Sequence, residues 1–269
     1  MTLPDCARRF AATLLLGLAA AALAAPSAAA LPDTIERLAP AIVAVGTHAP
    51  LRQPSAEFHG TGFVVGDGRH VLTNYHVLPA GLDARQNEVL SVFSGEGRQV
   101  QRRGAEVVAE DARHDLVLLR ITGEALPALR FGDALAVRAG ERYAFTGFPI
   151  GMVLGLHPVT HQATVSALTP IAIPQPRARS LDAAQIRHLA DPYRVFQLDG
   201  TAYPGNSGSP LYDPDTGAVI GIVNMVFVKG KKERVLQEPS GIAYAIPAHH
   251  AEALLAQALD SSRDAGAAE

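Results

Sequence analysis

Thr61-Gly62-Phe63-Val64-Val65-Gly66-Asp67-Gly68-Arg69-His70-Val71-Leu72-Thr73-Asn74-Tyr75-His76 is the stretch that decides the architecture. Two short runs of apolar and β-branched residues flank Gly66-Asp67-Gly68, and such a step between strand-length runs is a hairpin signal. Outward from the hairpin the same grammar repeats. Runs at residues 41–45, 116–121, 143–146, 161–168, 219–226 and 242–246 are each about a strand long and bounded by turn residues. Many short strands with regular turn punctuation predict an all-β sandwich or barrel. No strand–helix rhythm of the kind that builds a parallel sheet is present. Two short helices bracket the strands. Residues 33–38 read as one, capped by Asp33 and stopped before Pro40, and residues 248–259 as another, with Leu254, Leu255 and Leu259 on one face for docking on the later strands. Residues 261–269 read as a frayed tail. Residues 171–196, opened by Pro174 and Pro176, interrupt the strands and read as a surface excursion with one short helix at 181–190.

The N-terminus has the three parts of a secretory signal peptide. Arg8 and Arg9 form a positive start, an apolar stretch runs from Phe10 to about Ala25, and Ser27-Ala28-Ala29-Ala30 supplies small residues for cleavage after Ala30. The apolar stretch falls short of the ~20 residues of a membrane-spanning helix. No later run reaches that length, so the mature chain is expected to be exported, periplasmic or secreted, and not inserted in a membrane. The single cysteine, Cys6, lies inside the signal, so a mature chain beginning at Leu31 has no disulfide and no cysteine-based metal site. The chain is 48% hydrophobic and carries a net charge of -3. A nucleic-acid surface needs a concentrated basic face, whereas Lys229, Lys231, Lys232 and Arg234 form a short run mixed with Glu233 that reads as a solvated loop.

Three residue types that together make a serine nucleophile stand in suggestive contexts. Serine at its free pKa is a poor nucleophile. It needs a histidine within hydrogen-bond reach, a carboxylate to hold the imidazole in one tautomer, and donors for the developing oxyanion. Ser207 lies in Thr201-Ala202-Tyr203-Pro204-Gly205-Asn206-Ser207-Gly208-Ser209-Pro210. Gly205 lets the backbone turn so that main-chain N–H groups converge, and Gly208 leaves room for a substrate carbonyl. On composition alone the stretch reads equally as a plain turn before a strand starting at Leu211. His76 ends the opening hairpin, and Asp115 directly precedes the apolar run 116–121. Taken singly, each is an ordinary strand-end residue.

The three segments together carry a resemblance. Gly60-Thr61-Gly62-Phe63 with Leu72-Thr73-Asn74-Tyr75-His76-Val77, then His114-Asp115-Leu116-Val117-Leu118-Leu119-Arg120-Ile121, then Pro204-Gly205-Asn206-Ser207-Gly208-Ser209-Pro210-Leu211 resemble the catalytic blocks of chymotrypsin-like (trypsin-like) serine peptidases. The protease domain of bacterial HtrA (Deg) proteases is the most similar, and glutamyl endopeptidases share the Gly-Asn-Ser-Gly-Ser-Pro run. Phe131-Gly132-Asp133, Gly140-Glu141, Gly147-Phe148-Pro149-Ile150-Gly151, Asp199 and Gly241-Ile242-Ala243-Tyr244-Ala245-Ile246-Pro247 extend the likeness over about residues 33–255.

The resemblance implies two six-stranded antiparallel β-barrels, residues 31–130 with His76 and Asp115 and residues 131–260 with Ser207. It implies a triad of His76, Asp115 and Ser207, an oxyanion hole from Gly205, Asn206 and Ser207, polypeptide substrates and no cofactor. It further implies a primary pocket lined by Thr201, Ala202 and Tyr203, by Val223, Asn224, Met225 and Val226, and by residues 241–243. The edge around residues 223–226 would bind substrate backbone by strand addition. No carboxylate stands at Thr201, so the expected pocket is small and apolar rather than selective for Arg or Lys. No basic or histidine partner for a substrate glutamate is placed by the sequence. Ser209 replaces the second glycine usual in HtrA proteins, and their PDZ domains are not expected in a chain of this length. Asn206, where pancreatic-type enzymes have an aspartate, has no charge to pair with a freed N-terminal amine, which implies a site competent once the signal is removed.

Other classes fit less well. The nucleophile elbow of an α/β-hydrolase is G-x-S-x-G, broken here by Ser209, and its acid and histidine follow the serine. No H-E-x-x-H motif accompanies the scattered histidines. A protease-like fold that binds peptides or acts as a chaperone without cutting them is the remaining alternative.

Overall fold

The computed structural model describes residues 31–149, 156–171, 192–224 and 241–266. The expected signal peptide, the helix at 181–190, the basic run after residue 228, and Met225 and Val226 lie outside them. Among the described residues, twelve strands close into two six-stranded antiparallel barrels. The first contains β1 (Ile42–His48), β2 (Ala56–Val65), β3 (His70–Asn74), β4 (Val89–Ser94), β5 (Gln101–Asp111) and β6 (Leu116–Ile121), in the order β1-β2-β3-β6-β5-β4. The second contains β7 (Arg142–Gly147), β8 (Val159–Pro170), β9 (Arg194–Asp199), β10 (Pro210–Tyr212), β11 (Val219–Asn224) and β12 (Ile242–Pro247), in the order β10-β11-β12-β9-β8-β7. Closure removes free edges that would otherwise template further pairing.

The opening hairpin pairs Phe63 with Leu72 and Val65 with His70. Its turn is fastened by Asp67, whose carboxylate accepts from the Arg69 N–H at 2.9 Å and from His70 Nδ1 at 2.8 Å. Phe63, Leu72, Leu116, Leu118 and Leu119 are fully buried in the first barrel; Phe145, Phe196, Leu198, Leu211, Tyr212, Ile222 and Ile246 are fully buried in the second. Each side chain of this size adds roughly 1.5–3 kcal/mol by leaving water.

None of the runs named from the sequence falls on β4 or β5, and β9 begins inside the expected excursion. β5 carries Arg102, Arg103, Glu106 and Glu110 and has no buried position, so it lacks the apolar signal. It is held by ladders to β4 and β6 on its two sides. The excursion expected over 171–196 is shorter at its end, because the chain rejoins the sheet at Arg194 as β9, paired to β8 and β12.

Both helices depart from expectation in useful ways. Helix α1 (Leu31–Leu38) holds Asp33 in its first turn rather than at a cap, where the carboxylate still meets the positive helix end. The helix precedes the first barrel yet bonds the β10–β11 turn of the second. Thr34 Oγ1 donates to the Asp215 carbonyl at 3.4 Å and Arg37 Nη1 to that of Thr216 at 3.2 Å. Helix α2 (Ala248–Gly266), expected on the second barrel alone, packs on β5 and β6 as well as β11 and β12. Leu254, Leu255 and Ala258 are buried there, and Leu255 lies against Gly66 of the opening hairpin. Nor does the helix fray at residue 261. It runs to Gly266, with Ser261 Oγ donating to the Gln257 carbonyl at 2.9 Å. Each barrel is thus strapped by a helix adjoining the other in sequence. No helix among the described residues is long and apolar enough to cross a membrane.

Candidate active site

His76, Asp115 and Ser207 arrive from three places. His76 sits in the single 3-10 turn Tyr75–Val77 that follows β3, Asp115 in the turn between β5 and β6, and Ser207 in the loop between β9 and β10. The fold brings them into one line. His76 Nδ1 lies 2.6 Å from Asp115 Oδ2, and His76 Nε2 lies 3.0 Å from Ser207 Oγ. Ionised carboxylate oxygens only accept. The imidazole proton therefore sits on Nδ1, leaving the Nε2 lone pair facing the serine hydroxyl.

Asp115 is over-determined by its surroundings. Its Oδ1 accepts the His76 backbone N–H at 2.9 Å, and its Oδ2 also accepts Asn224 Nδ2 at 2.7 Å. Its carbonyl accepts the Tyr75 N–H at 3.0 Å and Asn74 Nδ2 at 3.1 Å. These bonds hold it at φ 53°, a left-handed conformation that costs a non-glycine residue of order 1 kcal/mol and that aspartate tolerates better than most. The preceding turn is clamped by Asp111, whose Oδ1 accepts the N–H groups of Arg113 and His114 at 3.1 Å each.

The nucleophile loop is a tight turn. The Asn206 N–H donates to the Tyr203 carbonyl at 2.9 Å, with Pro204 and Gly205 between them and Gly205 at φ 102°. Proline followed by a glycine at positive φ is the type II pattern. The backbone N–H of Asn206, expected among the oxyanion donors, is engaged within this turn. The N–H groups of Gly205 and Ser207 have no partner among the described residues. Asn206 is fully buried, and neither of its side-chain polar atoms is hydrogen-bonded.

Of the expected pocket residues, Thr201 and Tyr203 are half-buried and Ala202 is buried. Val223 and Asn224 have other tasks. The Val223 N–H donates to the Ser209 carbonyl and its carbonyl accepts the Gly208 N–H, both at 2.9 Å. No backbone group of Val223 is left for strand addition, and the Asn224 side chain is turned onto Asp115. Sequence reasoning missed Asn224 as a partner of Asp115, and also Asn74 and Thr61, because a buried polar residue at a strand position has no local signature. It also missed His161 on β8, whose ring stacks on Phe145 at 5.0 Å and lies 6.1 Å from that of Tyr203. Burial pushes the His161 pKa down, and its Nε2 is buried without a partner. The ring is therefore neutral at ordinary pH.

A second cluster stands behind Asp115. His114 stacks on His250 of α2 with centroids 3.8 Å apart and meets Tyr193 edge-on at 4.6 Å. These rings stack rather than converge, and no group of three metal-ligating side chains occurs among the described residues. Burial, with His114 and His249 nearby, pushes His250 down to about 3 from 6.5. An imidazole with a depressed folded value stabilises fully above its unfolded value, and that contribution is lost as pH falls from 6.5 towards 3. The thermal midpoint is thus expected to fall as pH drops from 6.5 to 4. His250→Phe keeps a ring against His114, and the fall should be shallower in that variant by roughly 5 °C in calorimetry.

A family profile for the trypsin-like peptidase domain matches residues 60–222. The chain belongs to the trypsin-like peptidase domain family. That match contains His76, Asp115 and Ser207, and two relatives within it illustrate the relation. A "Probable periplasmic serine endoprotease DegP-like" of Halomonas elongata is 30% identical over 189 residues, covering 70% of this chain and 32% of that protein. The protein so named in Pseudomonas putida (strain W619) is 32% identical over 197 residues, covering 73% and 34%. The chain thus spans about a third of the length of these curated relatives. The solved structure of an HtrA-type protease, AlgW, with decapeptide shares the fold with a TM-score of 0.61 at 23% identity, over 86% of this chain and 68% of that one. The trypsin-like fold explains why the histidine and the acid come from one barrel and the serine from the other.

Proposed function

We propose that this trypsin-like chain is an exported serine endopeptidase that cleaves polypeptides in the bacterial envelope through an acyl-enzyme. The observation that carries the proposal is the unbroken line from Asn224 to Asp115 at 2.7 Å, Asp115 to His76 at 2.6 Å and His76 to Ser207 at 3.0 Å. Ser207 Oγ attacks the scissile carbonyl carbon as its proton passes to His76 Nε2. Asp115 stabilises the imidazolium that forms. The N–H groups of Gly205 and Ser207 receive the oxyanion, and the imidazolium then protonates the departing amine. Water, deprotonated by His76, releases the acyl group by the reverse path. Export rests on the signal-like N-terminus and on the periplasmic names of the relatives.

Thr201, Ala202, Tyr203 and a neutral His161 themselves offer no carboxylate to receive Arg or Lys. Small aliphatic residues before the scissile bond are therefore the favoured substrates. Two measurements test this reading together. A fluorophosphonate probe should label the purified wild type on Ser207, located by mass spectrometry, and should not label Ser207→Ala. A peptide library should be cut after aliphatic residues in preference to Arg and Lys. A wild type that takes no probe and cuts no peptide would support the non-hydrolytic, peptide-binding alternative.

A further inference from the structure

The serine loop is fastened to the first barrel by one residue of β2. Thr61 is fully buried and makes four bonds. Its N–H donates to the Ser207 carbonyl at 2.9 Å, and its Oγ1 donates to the Gly205 carbonyl at 2.7 Å. The same Oγ1 accepts the Phe148 N–H at 3.0 Å, and the Thr61 carbonyl accepts Thr73 Oγ1 at 2.6 Å. Thr73 lies on β3, three residues before His76. One residue thus joins the strand leading to the histidine, the chain just after β7, and the peptides that follow Gly205 and Ser207.

The consequence follows from peptide planarity, because fixing one end of a peptide unit fixes the direction of the other. The peptide after Gly205 is held at its carbonyl by Thr61 Oγ1 and at its N–H by the Tyr203 carbonyl. The peptide after Ser207 is held at its carbonyl by Thr61 N–H and at its N–H by the Val223 carbonyl. The peptide between Asn206 and Ser207 is held at its carbonyl by the Ser209 N–H. The unbonded donors are the N–H groups of Gly205 and Ser207. No other side chain secures this turn among the described residues, since both polar atoms of Asn206 and the hydroxyl of Ser209 are buried without partners.

We infer that the Thr61 hydroxyl is a positioning group for the oxyanion donors. It holds the Gly205 carbonyl so that Gly205 stays at positive φ and the N–H groups of Gly205 and Ser207 point at one place. In this chain a neutral inter-barrel hydrogen bond fixes the turn, where an ionised residue at position 206 would need a cationic partner. The inference rests on the endopeptidase reading for its kinetic consequence and on geometry alone for its structural one.

Thr61→Val keeps the buried β-branched shape and removes only the hydroxyl, whereas Thr61→Ser keeps the hydroxyl. Losing one oxyanion donor outright costs about 10²–10³ in kcat, and a donor that is mis-aimed costs less. On a peptide chosen from the library, Thr61→Val should lose about 10–100-fold in kcat with KM within about twofold of wild type. Thr61→Ser should recover to within about threefold of wild type. In amide NMR spectra the Gly205 and Ser207 N–H resonances should move in Thr61→Val and stay in place in Thr61→Ser. Wild-type kcat in Thr61→Val, a change confined to KM, or an equal loss in both variants would overturn the inference. A wild type without activity would instead remove the endopeptidase reading, and the two amide resonances would still decide whether Thr61 holds the turn.

Discussion

Asp115→Asn should lower kcat by about 10⁴-fold at neutral pH with the thermal midpoint close to wild type. The substitution isolates hydrogen-bond polarity, because asparagine tolerates the φ of 53° at this position as aspartate does. Asp115 accepts from three donors: His76 N–H at one oxygen, His76 Nδ1–H and Asn224 Nδ2–H at the other. An amide has a single oxygen, so its NH₂ must face a donor whichever way it is turned. Facing the backbone N–H is a clash that cannot relax. Facing Nδ1 is relieved when the imidazole moves its proton to Nε2, and that tautomer cannot take the proton of Ser207. Steady-state kinetics on a library-selected peptide, with calorimetry of both proteins, checks this. A loss below tenfold would mean that something other than Asp115 orients the imidazole.

Gly208→Ala should be nearly as damaging to activity, and through folding rather than chemistry. Gly208 has φ 86°, and a Cβ there would lie 2.0 Å from the Thr61 carbonyl oxygen and 2.4 Å from Thr73 Oγ1. Both atoms are buried and bonded to each other. Neither can withdraw without breaking the link between β2 and β3. A destabilisation above about 4 kcal/mol in urea unfolding is expected, the range reached when backbone strain and overpacking coincide. Gly140→Ala is the matched control. Its φ is 95°, yet nothing lies within 4 Å of the added Cβ. That variant should lose only the ~1–2 kcal/mol of left-handed strain. Equal losses in the two variants would show that conformation, not crowding, limits position 208.

The parts of this molecule that were legible in the sequence are those whose signal is local. The hairpin through Gly66-Asp67-Gly68 was readable because its turn residues and its apolar runs are adjacent in the chain. The run Leu116–Ile121 was readable because five of its six residues are buried and therefore apolar. His76, Asp115 and Ser207 were readable only because each stands within a short segment resembling the trypsin-like blocks. Composition alone could not have separated Ser207 from a turn serine. β5 was not legible, because a strand held by ladders on both sides with no buried position needs no apolar pattern. The reach of α2 onto the first barrel was hidden for a similar reason, since the leucines on its face report burial but not the surface that buries them.

The sequence by itself determined the all-β class, the main hairpin and the identity of the three residues that meet, since hydrophobic periodicity, turn chemistry and short motifs are written in neighbouring positions. Tertiary structure alone decided which groups hold them. Asn224 is turned onto Asp115 from 109 residues away, and Thr61 reaches the Gly205 carbonyl across 144. The Asn206 N–H is closed into its own turn. Such assignments depend on where two barrels meet, and a hydrogen bond across that seam leaves no pattern along the chain.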